Sequence, residues 1–184
     1  MKRKFIVAYI AICCLFAMSL VALAENKADG MDKIKMEMME NMKKIMSMKP
    51  EQMQAHMMKL QKESLKRGRQ LFVEPSQSGI SCSSCHPGGG TIKGMAEPMP
   101  GMRVPIPTLV GTSATFPKFK VPNNAVVSLE QMNNNCRMTF NKAEPLILGS
   151  RQATDLAAYV SSFSNGKTVE LGAHNEMKMD GMQK

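Results

Sequence analysis

The chain has 184 residues, a formal net charge of +9, 20 methionines, 9 aromatic residues and no tryptophan. That length accommodates one domain of roughly 100 residues plus an additional segment. The basic balance suits docking to acidic partners or surfaces, but no basic patch is interleaved with aromatics, so nucleic acid is excluded as a partner.

Lys2, Arg3 and Lys4 form a positive start, Phe5 to Val21 an apolar run, and Ala22-Leu23-Ala24 an A-x-A cleavage site. Residues 1–24 are therefore expected to be a signal peptide that is removed. A retained anchor is the alternative, but 17 apolar residues lie at the short edge for a span. Lipoprotein processing wants a small residue before the cysteine, and Cys13 follows Ile12. Removal lowers the charge from +9 to +6 and predicts a periplasmic or otherwise exported protein with no permanent membrane span.

Residues 25–63 form a Met-rich segment. Ten methionines lie between Met31 and Met58, with Lys and Glu filling the gaps. Met31, Ile34, Met38, Ile45 and Met48 fall at helical spacing, as do Met53, Met57 and Leu60. Two amphipathic helices are predicted, about 30–48 and 50–72, joined near Lys49-Pro50, because proline suits a first helical turn. Met36-x-Met38, Met46-x-Met48 and His174-x-x-Met177-x-Met179 are also soft-donor clusters that fit Cu(I). Adaptable apolar filler explains the N-terminal set equally simply. The C-terminal set, in a polar tail over 167–184, has no packing rationale.

Cys82-Ser83-Ser84-Cys85-His86 is a C-x-x-C-H site for covalent haem attachment. Two thiols three positions apart reach the two vinyl groups of one haem, and the adjacent imidazole becomes the proximal iron ligand. A zinc site would want a second Cys or His pair, and the mature chain has only Cys136, His56 and His174 besides. A thioredoxin-like motif would want a strand–helix–strand setting, whereas Pro87-Gly88-Gly89-Gly90 follows here. The motif predicts a c-type cytochrome with one covalent haem c.

Residues 87–127 are rich in proline and glycine and are read as loop wrapped over the haem. Ser128-x-x-Gln131 is a capping box, opening a helix with Leu129, Met132, Cys136 and Phe140 on one face. Ser150 caps a last helix with the stripe Leu156, Tyr159, Val160 and Phe163, ended by Asn165-Gly166. No strand pattern stands out, so an all-α fold is expected. Cys136 is the one mature cysteine outside the haem motif, on an apolar helical face, with Arg137 and Lys142 near in sequence to favour a thiolate. It is a candidate distal ligand or a buried small hydrophobe. Met132 is the distal alternative one turn away, and Met95, Met99 and Met102 are further candidates in the loop. His56 and His174 read as solvent-facing.

Gly68 and Phe72 ahead of the motif, the CSSCH itself, Pro107-Thr108-Leu109-Val110-Gly111 and the Leu156–Phe163 helix resemble, in that order, the class I cytochrome c fold. The resemblance covers residues 64–166 and leaves 25–63 as an N-terminal Met-rich helical extension. It implies that the first and last helices cross at Gly68 beside Tyr159, and that the Pro107 carbonyl holds the proximal imidazole. Where that family places its axial methionine this chain reads Ala143-Glu144-Pro145-Leu146. The segment from Leu129 to Ser150 instead resembles SoxA-type and thiosulfate dehydrogenase cytochromes, which implies Cys136 as distal ligand. Those families usually carry two haem domains, and this chain has one haem motif. The expected function is a single-electron carrier serving redox partner proteins, favoured over an enzyme. The alternatives are the haem subunit of a sulfur-compound oxidising enzyme and a copper-handling protein.

Overall fold

The computed structural model describes residues 32–172. The expected signal peptide and the Met/His tail beyond residue 172 lie outside them. The chain divides into two compact units, the first ending at Met57 and the second starting at Met58.

Helix α1 covers residues 32–46 and α2 covers Pro50–Val73. Proline occupies the first position of α2, where its missing N–H costs nothing, and the Lys49 amide donates to the Gln52 side chain just ahead of it. The helix boundaries agree with the spacing of the apolar residues. The anticipated apolar stripe of α1 does not form a core, however: Ile34 and Met38 are 60% and 67% exposed, while Ile45 and Met48 are half-buried. No helix among the described residues is long and apolar enough to cross a membrane.

In the second unit, the C-terminal half of α2 is followed by the one-turn helix α3 (Cys82–Cys85), α4 (Leu129–Thr139) and α5 (Arg151–Ser162). Both predicted caps are present. Ser128 accepts from the Gln131 amide while the Gln131 side chain accepts from the Ser128 amide, and Ser150 accepts from the Ala153 amide. Helices α2 and α5 cross where Gly68 is buried. A Cβ there would collide with the Asp155 carbonyl and meet the Tyr159 Cβ at 2.8 Å, so only glycine permits the approach. The crossing is tied by the buried Asp155 carboxylate, which accepts from Ser64 at 2.6 Å and from Arg67 at 2.6 and 3.1 Å. The core beside it is Phe72, Leu156 and Val160, with Leu71, Cys82, Leu109, Leu129, Leu146 and Tyr159 packed around.

The all-α expectation needs correction between α3 and α4. Strands β1 (Gly94–Met99) and β2 (Met102–Ile106) form one antiparallel hairpin, and β3 (Lys118–Lys120) and β4 (Ala125–Val127) form another. The first turns at Pro100-Gly101, with Gly101 at positive φ; the second passes Asn124, also at positive φ. Prolines 98 and 105 are tolerated because a two-stranded ribbon has free edges. The signal was present: Met102, Val104 and Ile106 alternate in burial with Arg103 and Pro105, which is strand periodicity interrupted by a residue type that normally argues against strands.

Candidate haem site

Helix α3 is too short to be stable alone and is held by local hydroxyls. The Ser81 amide donates to the Ser84 Oγ at 3.1 Å, and the His86 amide closes the turn on the Cys82 carbonyl at 3.0 Å. One helical turn therefore presents both thiols and places His86 at its C-terminal end. Gly94 at the start of β1 is packed so closely on the Cys85 carbonyl that no side chain would fit.

The imidazole of His86 sits beside the helix crossing. Its ring centroid is 6.4 Å from that of Phe72, which packs edge-on to Tyr159 at 5.2 Å; Tyr159 packs likewise on Phe163 at 5.0 Å. The Tyr159 hydroxyl donates to the Gly89 carbonyl, and the Leu109 amide donates to the Gly90 carbonyl at 2.7 Å. These bonds fix the loop carrying Pro107 against the imidazole. Burial pushes the His86 pKa down, and the Pro107 carbonyl opposes this by favouring the protonated ring. The Nδ1 atom is buried without a partner of good hydrogen-bonding geometry, so the carbonyl stands near it in a loose arrangement.

Helix α4 supplies the third sulfur near the motif. Leu129, Met132, Asn133, Cys136 and Phe140, at steps of three and four, are all half-buried. The Cys136 thiol lies inside; burial pushes its pKa up to about 12, and it interacts electrostatically with both Cys82 and Cys85. All three sulfurs therefore face one region. Lys120 on β3, rather than the neighbouring Arg137 and Lys142, is the cation that favours the Cys136 thiolate. Arg137 instead donates to the Glu144 carbonyl at 3.2 Å, and Lys142 to the Thr139 carbonyl at 2.6 Å. Sequence proximity misled because both side chains fold back onto backbone carbonyls, whereas Lys120 arrives from a hairpin that was read as loop.

Two asparagines missed by the sequence reading shape the site. Asn134 is buried and pairs twice with Leu146, accepting from its amide and donating to its carbonyl, both at 2.8 Å. This clamp anchors the segment that lacks an axial methionine to the back of α4. Asn141, also buried, donates to the Cys82 sulfur at 3.5 Å, and its carbonyl accepts from Ser76 and Ser78. The loop methionines are dispersed by the first hairpin: Met95 and Met99 are 43% and 59% exposed, and only Met102 is half-buried. His56 is half-buried in the first unit rather than solvent-facing.

Among the described residues no three His, Cys, Asp or Glu side chains converge closely enough to hold a bare metal ion. The thiols and imidazole thus border a region instead of a point. That donor set fits a haem joined through Cys82 and Cys85 with His86 available to its iron better than it fits zinc.

The comparisons with known proteins agree with this geometry. Residues 105–169 match the family model described as SoxA/TsdA, cytochrome c domain. Over those residues the chain is similar to cytochrome c domains of the SoxA/TsdA type. It is similar to the L-cysteine S-thiosulfotransferase subunit SoxA of Chlorobaculum tepidum, with 27% identity over 117 residues, 64% of this chain and 34% of the relative. It is also similar to a thiosulfate dehydrogenase of Allochromatium vinosum, with 29% identity over 115 residues, 58% of this chain and 40% of the relative. The chain therefore spans between a third and two fifths of the length of these relatives.

Proposed function

We propose that the protein is an exported monohaem c-type cytochrome that transfers single electrons, with one haem bound covalently through Cys82 and Cys85. The domain carrying it runs over 64–166, preceded by a signal peptide over 1–24 and the Met-rich segment over 25–63, and followed by a tail over 167–184. The observation that supports this reading is that the two thiols of one helical turn, which ends at His86, lie near enough to the Cys136 thiol of α4 to act on it. Haem c, when bound, supplies a one-electron ferric/ferrous couple.

The chain's own residues do the rest. Cys82 and Cys85 fix the group by thioether bonds, and Asn141 donates to the first of these sulfurs. His86 would ligate the iron, with the Pro107 carbonyl orienting its free nitrogen; such an outer partner sets a ligand's direction and basicity. Cys136 would be the second protein ligand. Burial keeps its free thiol neutral, so binding as a thiolate would release the thiol proton to solvent. A thiolate ligand would hold the potential below that given by a methionine. Phe72, Tyr159 and Phe163 exclude water from the His86 side.

A second reading is favoured by Cys136 together with the two relatives: a haem subunit in the oxidation of sulfur compounds, acting with a redox partner protein. Intact mass distinguishes haem stoichiometry directly. The exported chain should exceed its haem-free mass by one haem, and the double variant Cys82→Ala/Cys85→Ala should carry none. A mass showing two haems, or none, would refute the monohaem assignment.

A further inference from the structure

Among the described residues, two buried side-chain nitrogens have no hydrogen-bond partner, His86 Nδ1 and Asn133 Nδ2. The first faces Pro107. The second has no such explanation within the protein. An unpaired buried amide donor is unfavourable unless an acceptor meets it. Asn133 lies three residues before Cys136, about 4.5 Å nearer the N-terminus of α4 and on the same half-buried side.

The direction of α4 across the site identifies that acceptor. Just past its C-terminal end, Asn141 donates to the Cys82 sulfur, so this end marks the edge where the thioethers form. Cys136 lies nearer this end than Asn133, which is further along α4 from the Cys82 sulfur. In haem the two propionates occupy the edge opposite the vinyl groups. Asn135, the residue before Cys136, is joined to the second hairpin by paired bonds with Asn123, at 2.6 and 3.3 Å. That hairpin carries Lys120, which lies near enough to Cys136 to act on its thiol. Lys118 and Lys120 both approach the Phe116 ring, at 4.8 and 5.9 Å from its centroid, and the Lys118 ammonium donates to the buried Thr115 hydroxyl. Lys120, held against this ring, acts on the Cys136 thiol, and the unpaired amide donor of Asn133 lies one helical turn from Cys136; a cation and an amide donor are both suited to carboxylates.

We propose that Asn133 and Lys120 form the cradle for the haem propionates, the amide and the ammonium each donating to a carboxylate at the edge opposite the thioethers. This rests on the haem reading above and deepens it. Neither residue ligates iron; both are positioning residues that fix the plane of the group and set the charge at its exposed edge.

The test uses the full chain loaded in cells fed 5-aminolevulinate labelled with 13C at the carboxyl carbon, which labels the propionate carboxyls. Oxidised-minus-reduced infrared spectra are recorded for the wild type, Asn133→Leu, Lys120→Gln and Asn133→Asp, each first checked for covalent haem by mass. Label-sensitive carboxylate bands should shift in the first two variants. In Asn133→Asp a label-sensitive protonated C=O band should grow, because an acceptor replaces the donor. Identical label-sensitive bands in all four haem-loaded proteins would overturn the cradle while leaving the haem reading intact. A shift with Lys120→Gln alone would remove Asn133 from the cradle. A wild-type chain without covalent haem would overturn both readings.

Discussion

At the scale of single residues, the sixth ligand decides what this protein is for. Cys136 and Met132 share one side of α4, both half-buried, so either sulfur is available to a group bound there. The structure separates them by surroundings: the Cys136 thiol interacts with both motif cysteines and with Lys120. Cys136→Ala is therefore expected to turn the ferric optical spectrum high-spin, or to recruit Met132 and raise the reduction potential, since a neutral thioether replaces a charged donor. Met132→Ala should leave the spin state unchanged and cost less than the ~2–5 kcal/mol of a fully buried methionine. A high-spin Met132→Ala beside a silent Cys136→Ala would reverse the assignment. The C-x-x-C-H motif was legible because its chemistry is written in five consecutive residues. Asn133, Asn134, Asn141 and Lys120 were not, since asparagine and lysine are ordinary surface residues until tertiary contacts bury or aim them.

At the scale of elements, helices were legible and hairpins were not. Caps at Ser128 and Ser150 and the proline at the start of α2 are local signals, and each marks the observed start of its helix. The hairpins β1–β2 and β3–β4 carry prolines and only three to six residues per strand, so their period is too short to stand out from loop. The α2–α5 crossing makes its own prediction. Hydrogen bonds from Arg67 above all, and from Ser64, hold the Asp155 carboxyl below its ordinary 3.8, outweighing the opposing effect of burial. The unfolded chain then takes up this proton at higher pH than the folded one. The pair's stabilisation is therefore complete above the ordinary carboxylate range and is lost as the pH falls through and below it. Denaturant midpoints of the wild type and Asp155→Asn should differ most near neutrality and converge in acid. A gap that stays constant from pH 7 to pH 3 would show that the carboxylate charge contributes nothing at this crossing.

At the scale of the whole molecule, the division into two compact units falls within the sequence of α2, and the elements that carry the candidate site residues all lie after Met58. The composition shift led to a boundary expected near residue 64, whereas the compact units divide at Met58; what the exposed methionines of α1 serve was not legible, because helical spacing reports a face and not what covers it. A chain beginning at Met58 behind a signal sequence should still attach haem and give a low-spin absorption spectrum, because Ser64, Arg67, Gly68 and Phe72 are retained. Failure to attach haem would make residues 25–57 part of the haem-binding fold. The proposed function rests above all on His86 and Cys136 both ligating the iron of a single haem. Electron paramagnetic resonance of the ferric protein tests it most directly. The account predicts one low-spin signal with the narrow g-anisotropy of histidine/thiolate ligation. The broad anisotropy of histidine/methionine ligation, or a high-spin signal, would contradict it.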